Sequence, residues 1–502
     1  MNADALRRLA REALVREAAA ALAGGEQVWI VGGVLRDLAL GRQGPLTDLD
    51  LAILGPPRPF ARRLARRLKA ACVTLDAARE IYRVVTKGRP GSPARQVDVA
   101  RVQGGGIAAD LGRRDFTVNA MAVPLGTSAP LLDPFAGQDD AASGILRAVS
   151  RGAFHDDPLR TLRAFRIAAQ AGLEPEPRTL SWARAHRGLL GRCAAERVRA
   201  ELMLLLSAPD GGGWLKRLDA AGLLTAVFPE LEAARRCARA YYGPGGVLTH
   251  SLATVDRLDF LLAETARVWP AHAEAARAAL ARGPGGPEGH PALLRLGALL
   301  HDVSKPETAK RRGGRLRFFG HEAKGAERSA GILERLRFSR EETDWVSTWV
   351  LHHLRPGNLA AAEAISDKAV YRFFRDLGDK GVSQLLVCWA DHASYLDPVM
   401  LARLLPHAVQ APGAPTPRWA KGDAAKTLHH LRVVSFLLER WVRSPEQTRP
   451  ERLLDGEAVM KALRLAPGPR IGEILRALQE AQGEGKVRSR EEALAWVRRL
   501  GR

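Results

Sequence analysis

Cysteine is scarce in this 502-residue sequence. The four present, Cys72, Cys193, Cys237 and Cys388, lie far apart and form no CxxC pair. That spacing argues against a disulfide framework and against a structural zinc site. Long apolar runs are missing too: none approaches about 18 residues, which excludes a transmembrane helix. Residues 1–23 mix Arg, Glu and Ala at helical spacing and lack the apolar stretch of a signal peptide, so we expect a cytoplasmic protein. Acid is in short supply, with 55 Asp+Glu against 76 Lys+Arg and a net charge of +21. The excess points to a polyanionic partner, nucleic acid first, although an arginine-heavy composition explains it as well at this level. What the sequence does have is 46% hydrophobic residues, enough to exclude wholesale disorder. Its length suggests three or four domains.

Glycine and proline punctuate the chain. An Ala-rich helix stops at Gly24 and Gly25, and residues 27–31 read as a short apolar strand. Gly32 and Gly33 follow, then a helix over 34–40. Residues 46–54 read as a second strand whose only charges are Asp48 and Asp50. The spacing predicts a basic helix over 62–71 and strands at 82–85 and 96–99, separated by a Gly/Pro-rich turn at 88–93. From about residue 156 the pattern is almost wholly helical. Gly/Pro-rich breaks at 211–213, 243–246, 283–287 and 411–417 are candidate linkers or loops.

Asp48-Leu49-Asp50 carries the first chemistry. Strand residues i and i+2 face the same way, so both carboxylates project from one face while Leu49 and Leu51 pack behind. Such a pair suits Mg²⁺, which binds a few carboxylates together with substrate phosphates; two solvated acids at a strand end are the plain alternative. The glycine turn favours the metal. Gly32-Gly33 follows a strand and opens a helix, where backbone N–H groups cradle phosphates, and Arg36 adds a charge-assisted donor.

Three segments then resemble one family: Val31-Gly-Gly-Val-Leu-Arg-Asp37, Thr47-Asp-Leu-Asp-Leu51 and Arg113-Arg-Asp-Phe-Thr-Val-Asn-Ala120. Together they resemble the class II tRNA nucleotidyltransferases and bacterial poly(A) polymerases. The resemblance implies an α+β chain: a polymerase-β-like head with a mixed sheet and helices, followed by all-α neck, HD and tail domains. We place these at 1–150, 151–210, 211–400 and 401–502. It further implies that Gly33 and Arg36 contact the incoming nucleotide, that Asp48 and Asp50 hold Mg²⁺, and that Arg114 binds phosphate with Asp115 beside it. Asp98, in the 96–99 strand, is a possible third carboxylate, but we read it as a strand-edge Asp.

Asp156-Asp-Pro-Leu-Arg-Thr-Leu-Arg-Ala-Phe-Arg166 is the next dense signal. Pro158 fits a first helical position and Asp157 its N-cap. Arg160, Arg163 and Arg166 recur every three residues, beside a packing face of Leu159, Leu162 and Phe165. A surplus of arginine beside a phosphate site favours binding over solvation. The segment resembles the family's base-reading motif, with Asp156 where Glu is common. The resemblance gives Asp157 and Arg160 the role of a protein template and makes Arg163 a further nucleotide contact. A carboxylate accepts from the amino group of C or A while Arg donates to ring acceptors. Glu196-Arg-Val-Arg-Ala-Glu-Leu202 resembles a later neck motif, for which we expect structural ion pairs.

Leu299-Leu-His-Asp-Val-Ser-Lys-Pro306 sets His301 and Asp302 at the end of an apolar helix. His250 lies upstream, and His321, His352, His353 and Asp391 downstream. Imidazoles and carboxylates in such numbers suit transition metals. The pattern resembles the HD phosphohydrolase superfamily, with Ser304 where Gly is usual. By that resemblance His250, His301, Asp302 and Asp391 form the metal set, His321 and His353 complete a second position, and Mn²⁺, Co²⁺ or Ni²⁺ are the candidate ions. The C-terminal segment resembles the family's tRNA-holding tail, with Arg470, Lys486, Arg488 and Arg490 as candidate phosphate contacts. The expectation as a whole is a nucleotidyltransferase that adds C and A to tRNA 3′ ends from CTP and ATP. Poly(A) polymerase, a CC- or A-adding partial enzyme, and an HD-domain phosphohydrolase are the alternatives.

Overall fold

The structure is a computed structural model that describes residues 3–42, 44–88, 94–127, 130–361 and 364–500. Apart from Gly88, the turn expected at 88–93 lies outside the described residues. The chain divides into two compact units, Met1–Glu201 with Leu218–Val227, and Leu202–Arg217 with Phe228–Arg502.

The first unit opens with helices α1 (Ala3–Arg11) and α2 (Ala13–Ala19). Strand β1 (Gln27–Val31) runs into α3 (Gly33–Ala39), and β2 (Asp48–Leu54) into α4 (Pro57–Leu68). Then come β3 (Ala71–Asp76), β4 (Ile81–Val85), β5 (Gln96–Arg101), α5 (Ile107–Gly112) and β6 (Ala122–Pro124). The six strands form one sheet in the order β3-β4-β5-β2-β1-β6. Only β2 and β5 pair in parallel; the other neighbours are antiparallel, giving the expected mixed sheet.

Alternation along β2 divides its two faces. Leu49, Leu51 and Ile53 pack with Phe60, Ala61 and Leu64 of α4. The opposite set, Asp48, Asp50 and Ala52, faces away, and Ala52 packs with Val31, Leu111 and Ala120. The basic helix therefore covers the side of the sheet remote from the carboxylates. It also ends earlier than expected: Lys69 adopts φ 50°, a left-handed conformation that stops the helix, and residues 71–76 form β3 instead.

The second unit is helical. Its buried centre includes Gly246–Ala263, Gly286–Leu300, Arg340–His352 and Gly381–Ala393, with Trp269, Trp349 and Trp389 fully enclosed. Residues 454–497 add a small core of their own around Val459, Leu478 and Val497. Of the expected linkers or loops, 211–213 is a helix start, while 243–245 and 283–285 are turns that lead into helices at Gly246 and Gly286. The helical pattern is interrupted by a hairpin of Lys310–Arg312 and Arg315–Arg317, which the periodicity does not predict. Among the described residues no helix is long and apolar enough to cross a membrane.

Candidate active site and metal centre

The β1–α3 turn lies against the β2 carboxylates because Val31 and Asp50 are register partners. Gly32 has φ 78°, and a Cβ built on it would sit 2.6 Å from Asp50 Oδ2. Only glycine meets both demands. Arg36 lies over Gly33, with its Nη2 3.5 Å from where a Cβ would be. It donates to Asn119 Oδ1 at 3.1 Å and pairs with Asp37 at 3.0 Å. Gly33, Arg36, Asp48 and Asp50 line one cleft of about 670 Å³.

Burial, and next the charge of Asp48, push Asp50 up to about 6, while the charge of Arg114 pulls it down. Asp48 is also raised, by burial first and by Asp98 second. Acids this reluctant to ionise side by side fit a divalent cation, which supplies the missing positive charge. Asp98 is not at a strand edge. β5 is interior to the sheet, Asp98 is in register with Asp50, and Arg83 grips it through two bonds of 2.8 Å.

Arg114 pairs with Asp110 at 3.2 Å. Asp115 is buried, accepting from the Phe116 N–H at 2.8 Å and Asn119 Nδ2 at 3.1 Å, and it lies 3.5 Å from Arg163 Nη1. Burial alone would raise its pKa, but Arg163 and the Asn119 bond bring it below the usual carboxylate range. It is thus placed to orient Arg163 and Asn119.

The segment Asp156–Arg166 differs in detail from its expected cap. The helix runs Arg160–Ala171, and Asp157 ends the preceding helix, Gly152–Asp156. A turn intervenes, in which Asp157 Oδ1 accepts from the Leu159 N–H at 3.3 Å. The other Asp157 oxygen is held by Arg197 Nη2 at 2.6 Å. Arg160 donates to the carbonyls of Ala153 and Arg113, at 3.2 and 2.9 Å. Arg163 and Arg166 each reach Glu201 at 2.9 Å, so neither is the free cation that a surplus of arginine suggests. Burial would weaken the charge of Arg163, but Asp115 and Glu201 more than restore it. Sequence reasoning misses Arg197, Glu201 and Arg83 as parts of the site. The first two belong to the neck motif expected to form ion pairs, but their partners lie on other elements.

In the second unit the expected set converges on Asp302. His250, His301 and Asp302 form one cluster of ligand atoms, and Asp302, His321 and His353 another. The Oδ2 side of Asp302 faces His301 Nε2 at 3.2 Å and His250 Nε2 at 3.4 Å; the Oδ1 side faces His321 at 3.3 Å and His353 at 3.7 Å. Asp391 reaches His250 Nε2 at 3.1 Å. The Nδ1 atoms of His301, His321 and His353 each meet a backbone carbonyl at 2.7 Å, and Ser394 Oγ is 3.1 Å from that of His250. Donation through Nδ1 leaves the Nε2 lone pairs pointing inward, the tautomer a metal requires. Burial, then the charge of His301, pushes His353 down to about 3, keeping it neutral. Asp302 Oδ1 and Asp391 Oδ1 are buried without a hydrogen-bond donor, and two Nε2 atoms approach at 3.3 Å between His250 and His301. Acceptors crowded in this way fit cations, and Asp302 belongs to both groups of ligand atoms. Lys305 also reaches Asp302, at 2.5 Å, and Tyr242 Oη at 2.8 Å; neither partnership is visible in the sequence.

Part of the positive charge elsewhere is already engaged within the fold. In α4, Arg63 pairs with Glu26 and Arg67 with Glu17. In the tail, Lys486 pairs with Glu484, while Arg488 and Arg490 reach the carbonyls of Gly485 and Leu453.

Residues 28–147 match the poly A polymerase head domain, residues 172–235 the probable RNA and SrmB-binding site of polymerase A, and residues 247–396 the HD domain. The chain is 33% identical over 477 residues to an A-adding tRNA nucleotidyltransferase of Deinococcus radiodurans, covering 94% of each. It is 31% identical over 482 residues to a CC-adding tRNA nucleotidyltransferase of Geobacter sulfurreducens, covering 94% of this chain and 92% of that one. Among solved structures, a Thermotoga maritima CCA-adding enzyme complexed with tRNA shares the fold, with a TM-score of 0.58 at 20% identity, covering 96% of this chain and 93% of the other.

Proposed function

The chain belongs to the tRNA nucleotidyltransferase family, and from that premise we propose that it adds C and A to tRNA 3′ ends from CTP and ATP, releasing pyrophosphate. The observation that carries the reading is the single cleft in which the glycine turn, Arg36 and the two β2 carboxylates meet. Asp48 and Asp50 would hold Mg²⁺, which when bound supplies activation of the attacking 3′-hydroxyl and neutralises charge on the leaving pyrophosphate. Gly33 and Arg36 bind the triphosphate, and Arg114, whose charge is felt at Asp50, binds phosphate. Asp157 and Arg160 read the base edge, and both are already held in place, the one by Arg197 and the other by two carbonyls. Arg163 contacts the nucleotide while Asp115 and Glu201 fix its direction. The head at 1–150, neck at 151–210, HD region at 211–400 and tail at 401–502 divide these tasks, and we place the reaction in the cytoplasm, where the tRNA is.

The two near-full-length relatives above are named for the two halves of CCA, which favours a chain limited to one half as the second reading. One assay decides. A tRNA ending at the discriminator base, or at CC, is incubated with CTP and ATP together, one of them labelled, and product length is read. Extension to CCA supports the first reading. A stop at CC, or A added only to a CC end, supports the second. Long A tails, or no extension, refute both.

The bridged histidine–aspartate cluster supports a separate metal-dependent phosphoesterase centre, with Mn²⁺, Co²⁺ or Ni²⁺ held by His250, His301, Asp302, Asp391, His321 and His353. No phosphatase or cyclic phosphodiesterase activity with Mg²⁺, Mn²⁺, Co²⁺ or Ni²⁺ would overturn it.

A further inference from the structure

Between two ligands of the histidine–aspartate centre, Asp302 and His321, the chain leaves the helical body as the hairpin Lys310–Arg317. Every residue of the hairpin is exposed, so packing does not explain its presence. A two-stranded ribbon with no covered face is marginal by itself. This one also carries Lys310, Arg311, Arg312, Arg315 and Arg317 with no ion pair to any of them among the described residues. Five like charges on one small ribbon repel each other, and a polyanion laid along it relieves that repulsion.

Aromatic rings accompany the charge. Phe319 follows the hairpin, is 72% exposed, and lies two residues before His321. The Arg312 guanidinium is 5.8 Å from its ring. Tyr241, 68% exposed, packs on Tyr242, whose ring stacks on His250 at 4.9 Å. An exposed ring on a basic track, as Phe319 is beside Arg312, suits unpaired bases, since stacking needs a free base face and backbone charge needs cations. A duplex offers the charge without the free face.

We infer that the hairpin Lys310–Arg317 and Phe319 form a docking arm for single-stranded RNA that leads a phosphate ester to the histidine–aspartate centre. The inference rests on the phosphoesterase reading for its destination, but not for its binding step. The test uses the full chain and a 12-nucleotide RNA with a 5′ fluorophore and a 3′-terminal 4-thiouridine, with and without chelator. Anisotropy across a salt series compares the parent with a variant combining K310Q, R311Q, R312Q, R315Q and R317Q, and with F319A. The arm requires at least fivefold weaker binding in the combined variant, with a log–log salt slope shallower by about 0.7 for each phosphate no longer neutralised. F319A should weaken binding about tenfold without changing the slope. Photocrosslinking of the parent should label the tryptic peptide of residues 318–324. Unchanged affinity in both variants, a crosslink confined to other peptides, or an equal loss on a 12-base-pair duplex overturns the arm. Arm-dependent binding in a protein with no phosphoesterase activity under any metal leaves the arm standing and removes the phosphoesterase reading. An unchanged unfolding temperature in F319A ensures that lost binding is not lost fold.

Discussion

Asp50, the proposed metal ligand, is held at a cost to the fold. Its pKa of about 6 in the folded chain, set by burial first and Asp48 second, exceeds the ordinary 3.8. For an acid raised on folding, the folded state binds the proton more tightly, so stability falls as pH rises from about 4 to 6 and stays reduced above 6. Asp50→Asn removes the charge, and in chelator at pH 7 it should stabilise the protein by up to about 3 kcal/mol, two pKa units at 1.36 each. At pH 4 the gain should vanish. Denaturant unfolding at both pH values checks this, and a destabilised variant at pH 7 would contradict it. The same substitution should lower nucleotide addition at least 10³-fold, since the proposed cation loses a charged ligand. In the parent, protons compete with the cation, so the Mg²⁺ concentration for half-maximal activity should rise about tenfold per pH unit below 6. Sequence makes this residue legible because i and i+2 on a strand share a face whatever surrounds them. Asp98 is not legible in the same way: its place beside Asp50 depends on β5 joining β2 in parallel, a long-range pairing with no local signature.

At the scale of elements, the β1–α3 turn is the most constrained. Gly32→Ala asks a non-glycine residue to hold φ 78° and drives a methyl into Asp50 Oδ2. We expect about 1–2 kcal/mol of lost stability from the backbone and a loss of addition larger than that destabilisation accounts for, because the carboxylate itself must move. Thermal unfolding and initial rates on the same preparation separate the two; full activity in a destabilised protein would show the turn to be merely structural. The neck makes a complementary case. Glu201 is 6% exposed and takes one bond each from Arg163 and Arg166. Removing one partner of a buried ionic cluster costs more than the cluster contributes, about 3–5 kcal/mol where burial is complete. Glu201→Gln should fall below that range, because Arg163 remains 30% exposed and the amide still accepts hydrogen bonds. Loosening Arg163 should raise the nucleotide KM several-fold with less effect on kcat; unchanged KM would detach Arg163 from the nucleotide. The arginine repeat is visible as a pattern, but its partner is not, since an acid almost forty residues away is joined to it only by how two helices pack.

For the whole molecule, the division into two compact units is the starting point for its expected unfolding. The motifs read from sequence fall out along the same division: the glycine turn, the β2 carboxylates and the Asp156–Arg166 segment in the first unit, the histidines and Asp391 in the second. Local motifs predict membership of each cluster; the bridging position of Asp302 depends on several helices brought together. Units with separate cores need not unfold together, so calorimetry of the full chain should show more than one transition. The histidine–aspartate centre lies in the second unit alone, and there one oxygen each of Asp302 and Asp391 lacks a donor. A bound cation satisfies them and stabilises that unit by mass action, by about 2.7 kcal/mol at a hundred times its dissociation constant. Chelation should therefore lower the transition of the second unit by several degrees. CTP with Mg²⁺ should raise the transition of the first unit. Proteolytic fragments recovered between the two transitions assign each to its unit. A single transition that chelator and nucleotide shift alike would show that the units unfold as one, and a chelator-insensitive second unit would mean that the crowded acceptors are held without metal.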